Sequence, residues 1–153
     1  GPEIEKLANN SNKNSITLPH PLKNNLNFSF SGIKTAVNLI VKKQDKIDKS
    51  FKKNLAASFQ NKVIEILINK IERAIEVIEG KQIKIFQIAI VGGVAANKKI
   101  RKALLEFKKN QIIFPPTSLC GDNAAMIGLV CLRHSELGIK PNINFNPSPR
   151  LKI

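Results

Sequence analysis

From Ile47 onward, apolar residues recur at Phe51, Leu55, Phe59, Val63, Leu67, Ile71, Ala74 and Ile78. Steps of three or four residues put them on one face of a helix. The pattern predicts one long helix, with Ser50 placed to cap its start and Gly80 to end it. Upstream, "NFSFSG" (27–32) alternates apolar and polar residues and closes on glycine, which predicts a strand. "IKTAVNLIVKKQ" then reads as a helix leaving that strand. Downstream, Ile85, Phe86, Ile88, Ala89, Ile90 and Val91 form an apolar run that stops at Gly92 and Gly93. This predicts a second strand. A helix over about 95–109 follows, with Ile100, Leu104 and Phe107 turned inward. "QIIFPP" reads as a short strand closed by prolines. The last helix is expected from about Asp122 to Leu137. The first 27 residues are polar and asparagine-rich, with an extended, proline-broken "TLPHPL". Residues 138–153 read as a loosely packed tail.

The order strand–helix–helix–strand–helix–strand–helix predicts an α/β fold. At 153 residues, the chain is long enough for one domain, 1–153, with a real core. It has no internal repeat. No apolar run is long enough to cross a bilayer, and the opening "GPEIEKLANN" lacks the pattern of a secretory signal. Cys120 and Cys131 fit no common zinc or redox spacing. A reduced, cytoplasmic setting without membrane attachment is the expectation.

Charge changes the picture more than any other bulk property. Lys and Arg number 25 against 11 Asp and Glu, a net charge of +14. Such a field attracts polyanions, nucleic acids above all. The lysines are spread over nearly every segment rather than gathered in a patch. A general bias towards Lys, Asn and Ile is therefore the alternative source of the charge. With no Trp or Tyr in the chain, only Phe or His is able to stack on a base.

Two glycine-bearing turns hold the candidate chemistry. In "IVGGVAAN" (90–97) a strand ends on Gly92 and Gly93, and Asn97 offers an amide just beyond. Glycines allow backbone angles that a Cβ forbids and let a ligand lie against the main chain. Asn97 is equipped to fix a ribose or a base edge. The plainer reading is a tight strand-to-helix connection, and the spacing matches neither GxGxxG nor a P-loop. Lys98, Lys99, Arg101 and Lys102 then crowd the start of a helix, where the dipole disfavours cations. They form either a solvated basic face or a site with an anion nearby. In the second turn, "PTSLCGDNAAMIG" (116–128), Asp122 is a natural helix N-cap. It is also a carboxylate at a strand-to-helix junction, where α/β sheets place their ligands.

"GPEIEKLA", "FSFSGIKTAV", "IVGGVAANKKIRKAL" and "PPTSLCGDNAAMIG" occur in the order and rough spacing of one family. The chain resembles, over nearly its whole length, the tRNA threonylcarbamoyladenosine transferases. These are the TsaD-type proteins, once called O-sialoglycoprotein endopeptidases. The resemblance implies the actin-like, sugar-kinase-like ATPase fold (ASKHA, RNase H-like), two α/β lobes around a cleft. The chain is similar only to the second half, the C-terminal lobe. It is expected to be a fragment, a single lobe or the product of a truncated gene. The family's His-x-x-x-His metal pair and its Ser-Gly-Gly substrate loop are not in this sequence, and His20 and His134 read as ordinary histidines.

What the resemblance implies attaches to particular residues. Asp122 matches the aspartate that completes a divalent metal site, iron or zinc, with the two absent histidines. No metal is expected to bind tightly to this chain alone. Asn97 matches the asparagine that contacts the adenylate substrate, Gly92 and Gly93 the turn on which the adenosine lies, and Gly1 a glycine of the substrate pocket. Gly121 departs from the threonine more often found before the aspartate. The stretch from Ser29 to Lys34 matches a family signature with no role assigned to it. Lys98, Lys99, Arg101 and Lys102 become possible tRNA contacts.

The implied reaction transfers the threonylcarbamoyl group of threonylcarbamoyl-AMP to the exocyclic amine of the adenosine next to the anticodon, in tRNAs reading ANN codons. The implied partners are tRNA, threonylcarbamoyl-AMP, the N-terminal lobe and bacterial-type accessory subunits. By family the protein is an acyltransferase, and the chain alone is expected to be inactive. The alternatives are a non-catalytic nucleotide- or RNA-binding lobe and the older metalloendopeptidase reading. The latter lacks an HExxH or any other complete zinc site in this sequence.

Overall fold

A computed structural model describes residues 1–9, 11, 15–107 and 111–140. The chain divides into two compact units, Gly1–Gly121 and Asp122–Ile153. In the first unit, helices α1 (Pro2–Ala8), α2 (Phe30–Lys42) and α3 (Lys49–Gly80) precede strand β1 (Gln87–Ala89). A 3-10 turn (Gly93–Ala96), helix α4 (Lys98–Leu105), strand β2 (Gln111–Ile113) and a second 3-10 turn (Thr117–Leu119) follow. The second unit carries α5 (Ala124–Glu136). The strands pair in parallel, Ile88 opposite Ile112. The Ile90 amide donates to the Ile113 carbonyl at 2.9 Å, one step past β1. Helices with a small parallel sheet agree with the α/β expectation. Among the described residues no helix is long and apolar enough to cross a membrane.

Helix α3 is the spine. Its 32 residues span about 48 Å at the helical rise. Three apolar clusters pack along it. Val63 meets Ile100, Leu104 and Ile112, with Phe59, Leu67, Ile71, Ile88 and Ile90 around them. Ala56 and Ala57 take Ala8 of α1. Ile66 takes Leu18 and Ile33 of α2. The helix is thus buried on more than the one face that the periodicity marks. Between the clusters, three buried polar side chains reach irregular backbone or loops. The Ile16 amide donates to Ser58 Oγ at 3.2 Å, Gln60 Nε2 donates to Asn97 Oδ1 at 3.1 Å, and Lys70 Nζ donates to the carbonyls of Leu22 and Asn25.

Several expectations are corrected. Residues 27–32 do not form a strand, because α2 starts at Phe30 with Ser29 at its N-cap. The alternation instead brings the Phe28 and Phe30 rings into a stack, 5.6 Å between centroids. Gly32 now has a packing reason: a Cβ there would come within 3.1 Å of Pro21 Cγ. The polar opening contains a helix, α1, with Pro at its first position. Asp48, not Ser50, caps α3, accepting from the Phe51 amide at 2.7 Å. The helix expected over 95–109 is shorter, running from Lys98 to Leu105 after a 3-10 turn. Helix α5 begins at Ala124, and its cap is Asn123 rather than Asp122: Asn123 Oδ1 accepts from the Met126 amide at 3.2 Å. Of the tail expected over 138–153, residues 141–153 lie outside the described residues.

Candidate functional site

The two glycines of the turn after β1 differ in backbone conformation. Gly92 sits at φ 88°, ψ 169°, a backbone conformation that side chains strongly disfavour. Gly93 has no such φ, and beyond its two chain neighbours no described atom lies within 4 Å of where its Cβ would be. Neither backbone strain nor internal packing calls for glycine at that position. The flanking Val91 and Val94 are 71% and 59% exposed, while Ala95 is buried and anchors the turn. The Ala95 amide closes it onto the Gly92 carbonyl at 2.9 Å. The result is an open, side-chain-free shelf with apolar edges at the C-terminal end of a parallel strand.

Asn97 ends this turn and caps α4. Its Oδ1 accepts from the amides of Lys99 (3.1 Å) and Ile100 (3.0 Å) as well as from Gln60. The Lys98 amide donates to Glu5 Oε1 of α1 at 2.9 Å, and the Arg101 amide donates to the Asn97 carbonyl at 3.0 Å. All four leading amides of α4 therefore have partners inside the fold, and none is left to hold a phosphate. The anion beside the basic start of α4 is Glu5, which complements the helix dipole. Glu5 also ties α1, the helix that Gly1 caps, to the helix that Asn97 caps. A Cβ on Gly1 would meet no described atom within 4 Å.

The four basic residues separate by role. Lys98 and Lys102 are exposed, and Lys99 is half-buried. Arg101 turns into the fold. Its Nε donates to the Ala95 carbonyl at 2.7 Å, and Nη2 to the Pro115 carbonyl at 2.6 Å and to Cys120 Sγ at 3.2 Å. The guanidinium lies 4.6 Å from the centroid of the Phe114 ring. It braces the glycine turn against the segment that follows β2. Cys120 is buried and free.

Asp122 opens the second unit, exposed, one residue ahead of the cap of α5. Among the described residues no group of three His, Cys, Asp or Glu side chains is placed to hold a metal ion. Asp122 offers one carboxylate, and the described side chains of this chain do not make a complete site. His20 is engaged elsewhere, with Nδ1 3.0 Å from Glu65 Oε1. Burial alone would raise the Glu65 carboxyl, but hydrogen bonds from Lys62 and His20, and their charges, outweigh it and hold its pKa below the ordinary value. Gln60 and Glu5 both touch the site, and sequence reasoning missed both. Neither stands in a motif, and each reaches the site only through tertiary packing.

A family profile described as TsaD, tRNA N6-adenosine threonylcarbamoyltransferase, matches residues 1–129. The chain is similar to proteins named tRNA N6-adenosine threonylcarbamoyltransferase from several bacteria. It is 40% identical to that of Thermosipho africanus, covering 100% of this chain and 46% of the relative. For Thermosipho melanesiensis the identity is 43%, over 94% of this chain and 45% of the relative. For the Wolbachia of Brugia malayi it is 38%, over 100% and 46%. The chain thus spans about half the length of the curated relatives it matches.

Proposed function

The chain belongs to the tRNA N6-adenosine threonylcarbamoyltransferase family, and from that premise we propose that it supplies the C-terminal lobe of an ASKHA-type transferase acting on tRNA. In this reading the adenylate of threonylcarbamoyl-AMP lies on the Gly92–Gly93 shelf. The exocyclic amine of the target adenosine attacks the carbamoyl carbon, the bond to the phosphate oxygen breaks, and AMP leaves. The chain contributes positioning: the bare backbone admits the adenosine, Asn97 donates from Nδ2, and Gly1 adds a second bare position. Lys98, Lys99 and Lys102 meet tRNA phosphates, and Arg101 keeps the turn in shape. Asp122 gives one ligand to a divalent metal, iron or zinc, completed by histidines of the first lobe. The first lobe and bacterial-type accessory subunits are the remaining partners, in a cytoplasmic setting.

The observation that carries this reading is the bare turn at Gly93, where an added Cβ would meet no described atom beyond the chain neighbours, so the main chain stands open to a ligand. The test is Gly93→Ala in a full-length protein that joins this chain to a first lobe. The melting temperature should stay within about 2 °C, since a surface change with no new contact is worth about 0.5 kcal/mol or less. AMP affinity, read by titration calorimetry, should fall about tenfold or more, a loss of about 1.4 kcal/mol. Unchanged affinity would remove the shelf from the account.

A further inference from the structure

We propose that Gln60 is a positioning residue of the adenylate site, holding the Asn97 carboxamide so that it presents only hydrogen-bond donors to the ligand. The inference rests on the reading of Asn97 as an adenylate contact and assigns to a residue of α3 what that contact recognises.

The amides of Lys99 and Ile100 both point at the same side-chain atom of Asn97, at 3.1 and 3.0 Å, which settles that this atom is the oxygen. These two bonds already complete an N-cap. Gln60, 37 residues away in sequence, adds a third donor at 3.1 Å. A carboxamide oxygen has two lone pairs, which the two cap amides already engage, so the third donor shares an occupied oxygen and holds the carboxamide from the α3 side. What remains is the Nδ2 amino group. Asn97 so held recognises an acceptor on the ligand, such as a ring nitrogen or an ester oxygen, and disfavours a donor at the same place.

The state of Gln60 itself is an independent observation. The residue is only 3% exposed. With Nε2 given to Asn97, its Oε1 is buried with no hydrogen-bond partner among the described residues. An unpaired buried acceptor is destabilising. Methionine has a similar length and would fill the position without an orphan oxygen. Packing therefore does not explain a glutamine here, and capping does not need one. Pinning the carboxamide does.

This separates a positioning role from a structural one by sign. In the full-length protein, Gln60→Met should melt at or above the parent temperature, while AMP affinity falls about three- to tenfold, the range for one hydrogen bond. Asn97→Asp keeps the cap, loses the Nδ2 donor, and should bind AMP at least as poorly. Adding Gln60→Met to Asn97→Asp should then weaken binding no further, because the first acts through the second. Gln60→Leu serves the same comparisons if the methionine variant does not fold. If Gln60→Met binds AMP like the parent while Asn97→Asp does not, the positioning role is wrong and the adenylate reading stands. If Gln60→Met melts lower with affinity unchanged, Gln60 is only structural. If Asn97→Asp also binds like the parent, or the parent does not bind AMP, the adenylate reading itself fails and takes this inference with it.

Discussion

A full-length protein carrying Asp122→Ala should lose turnover by about a hundredfold or more, with little change in melting temperature. The expectation comes from two positions that are adjacent in sequence. Asp and Asn are both strong N-caps, and loss of a cap typically destabilises by about 1 kcal/mol. Here Asn123 accepts from the Met126 amide and holds the start of α5. Asp122 is left with no cap to lose. If its carboxylate is one ligand of a metal shared with the first lobe, its removal should release the metal. Even supporting residues of metal sites change affinity or activity by about 10–100-fold, and groups acting as a unit fail together. Metal content by elemental analysis and incorporation of labelled threonine into tRNA provide the two readouts. Full metal and full turnover in Asp122→Ala would take that residue out of the site. The same two losses in Asn123→Ala, at unchanged stability, would mean that the wrong neighbour had been chosen.

Arg101→Ala should produce the largest loss of stability, about 2–4 kcal/mol in urea unfolding. Hydrogen bonds to charged groups contribute about 1.5–3 kcal/mol each, and Arg101 makes two to carbonyl oxygens. Its guanidinium over the Phe114 ring adds about 0.5–1 kcal/mol. The Ala95 and Pro115 carbonyls would also lose their donor. Arg101→Lys should not restore the loss, because one ammonium cannot reproduce a planar fork that spans two carbonyls and a ring. Binding of the adenylate should weaken as well, since the brace holds the turn that carries Gly92 and Gly93. A loss below about 0.5 kcal/mol, the usual range for a surface substitution, would show that the turn stands without it.

The elements legible in the sequence were those with a sustained period or a sharp chemical edge. Helix α3 was legible because apolar residues return on one face for eight turns. The strands were legible because apolar runs stop at Gly92 and at Pro115. Residues 27–32 misled because Phe28 and Phe30 alternate like a strand, yet they stack on each other at the entrance to a helix. Helix α1 has only seven residues, too few for its period to rise above a polar background. The sequence does not separate Asp122 from Asn123 as the cap of α5, because the two are chemically equivalent as caps and only the backbone chooses between them.

The site divides in the same way. Gly92, Gly93 and Asn97 are readable as a local turn, and their order along the chain carries the family resemblance. Their neighbours are not readable. Gln60 and Glu5 reach Asn97 and Lys98 across 37 and 93 residues, and no local pattern records such distances. In the sequence Arg101 is one more member of a basic run. Only the positions of Ala95, Pro115 and Phe114 reveal that it faces inward.

On the proposed reading, this chain supplies one part of a transferase and needs another lobe to complete it. The most direct measurement is incorporation of labelled threonine into tRNA, with the adenylate-forming synthase and accessory proteins supplied. Residues 1–153 alone should incorporate nothing above background, and the same residues joined to a family first lobe should incorporate it. Normal incorporation by residues 1–153 alone would contradict the account.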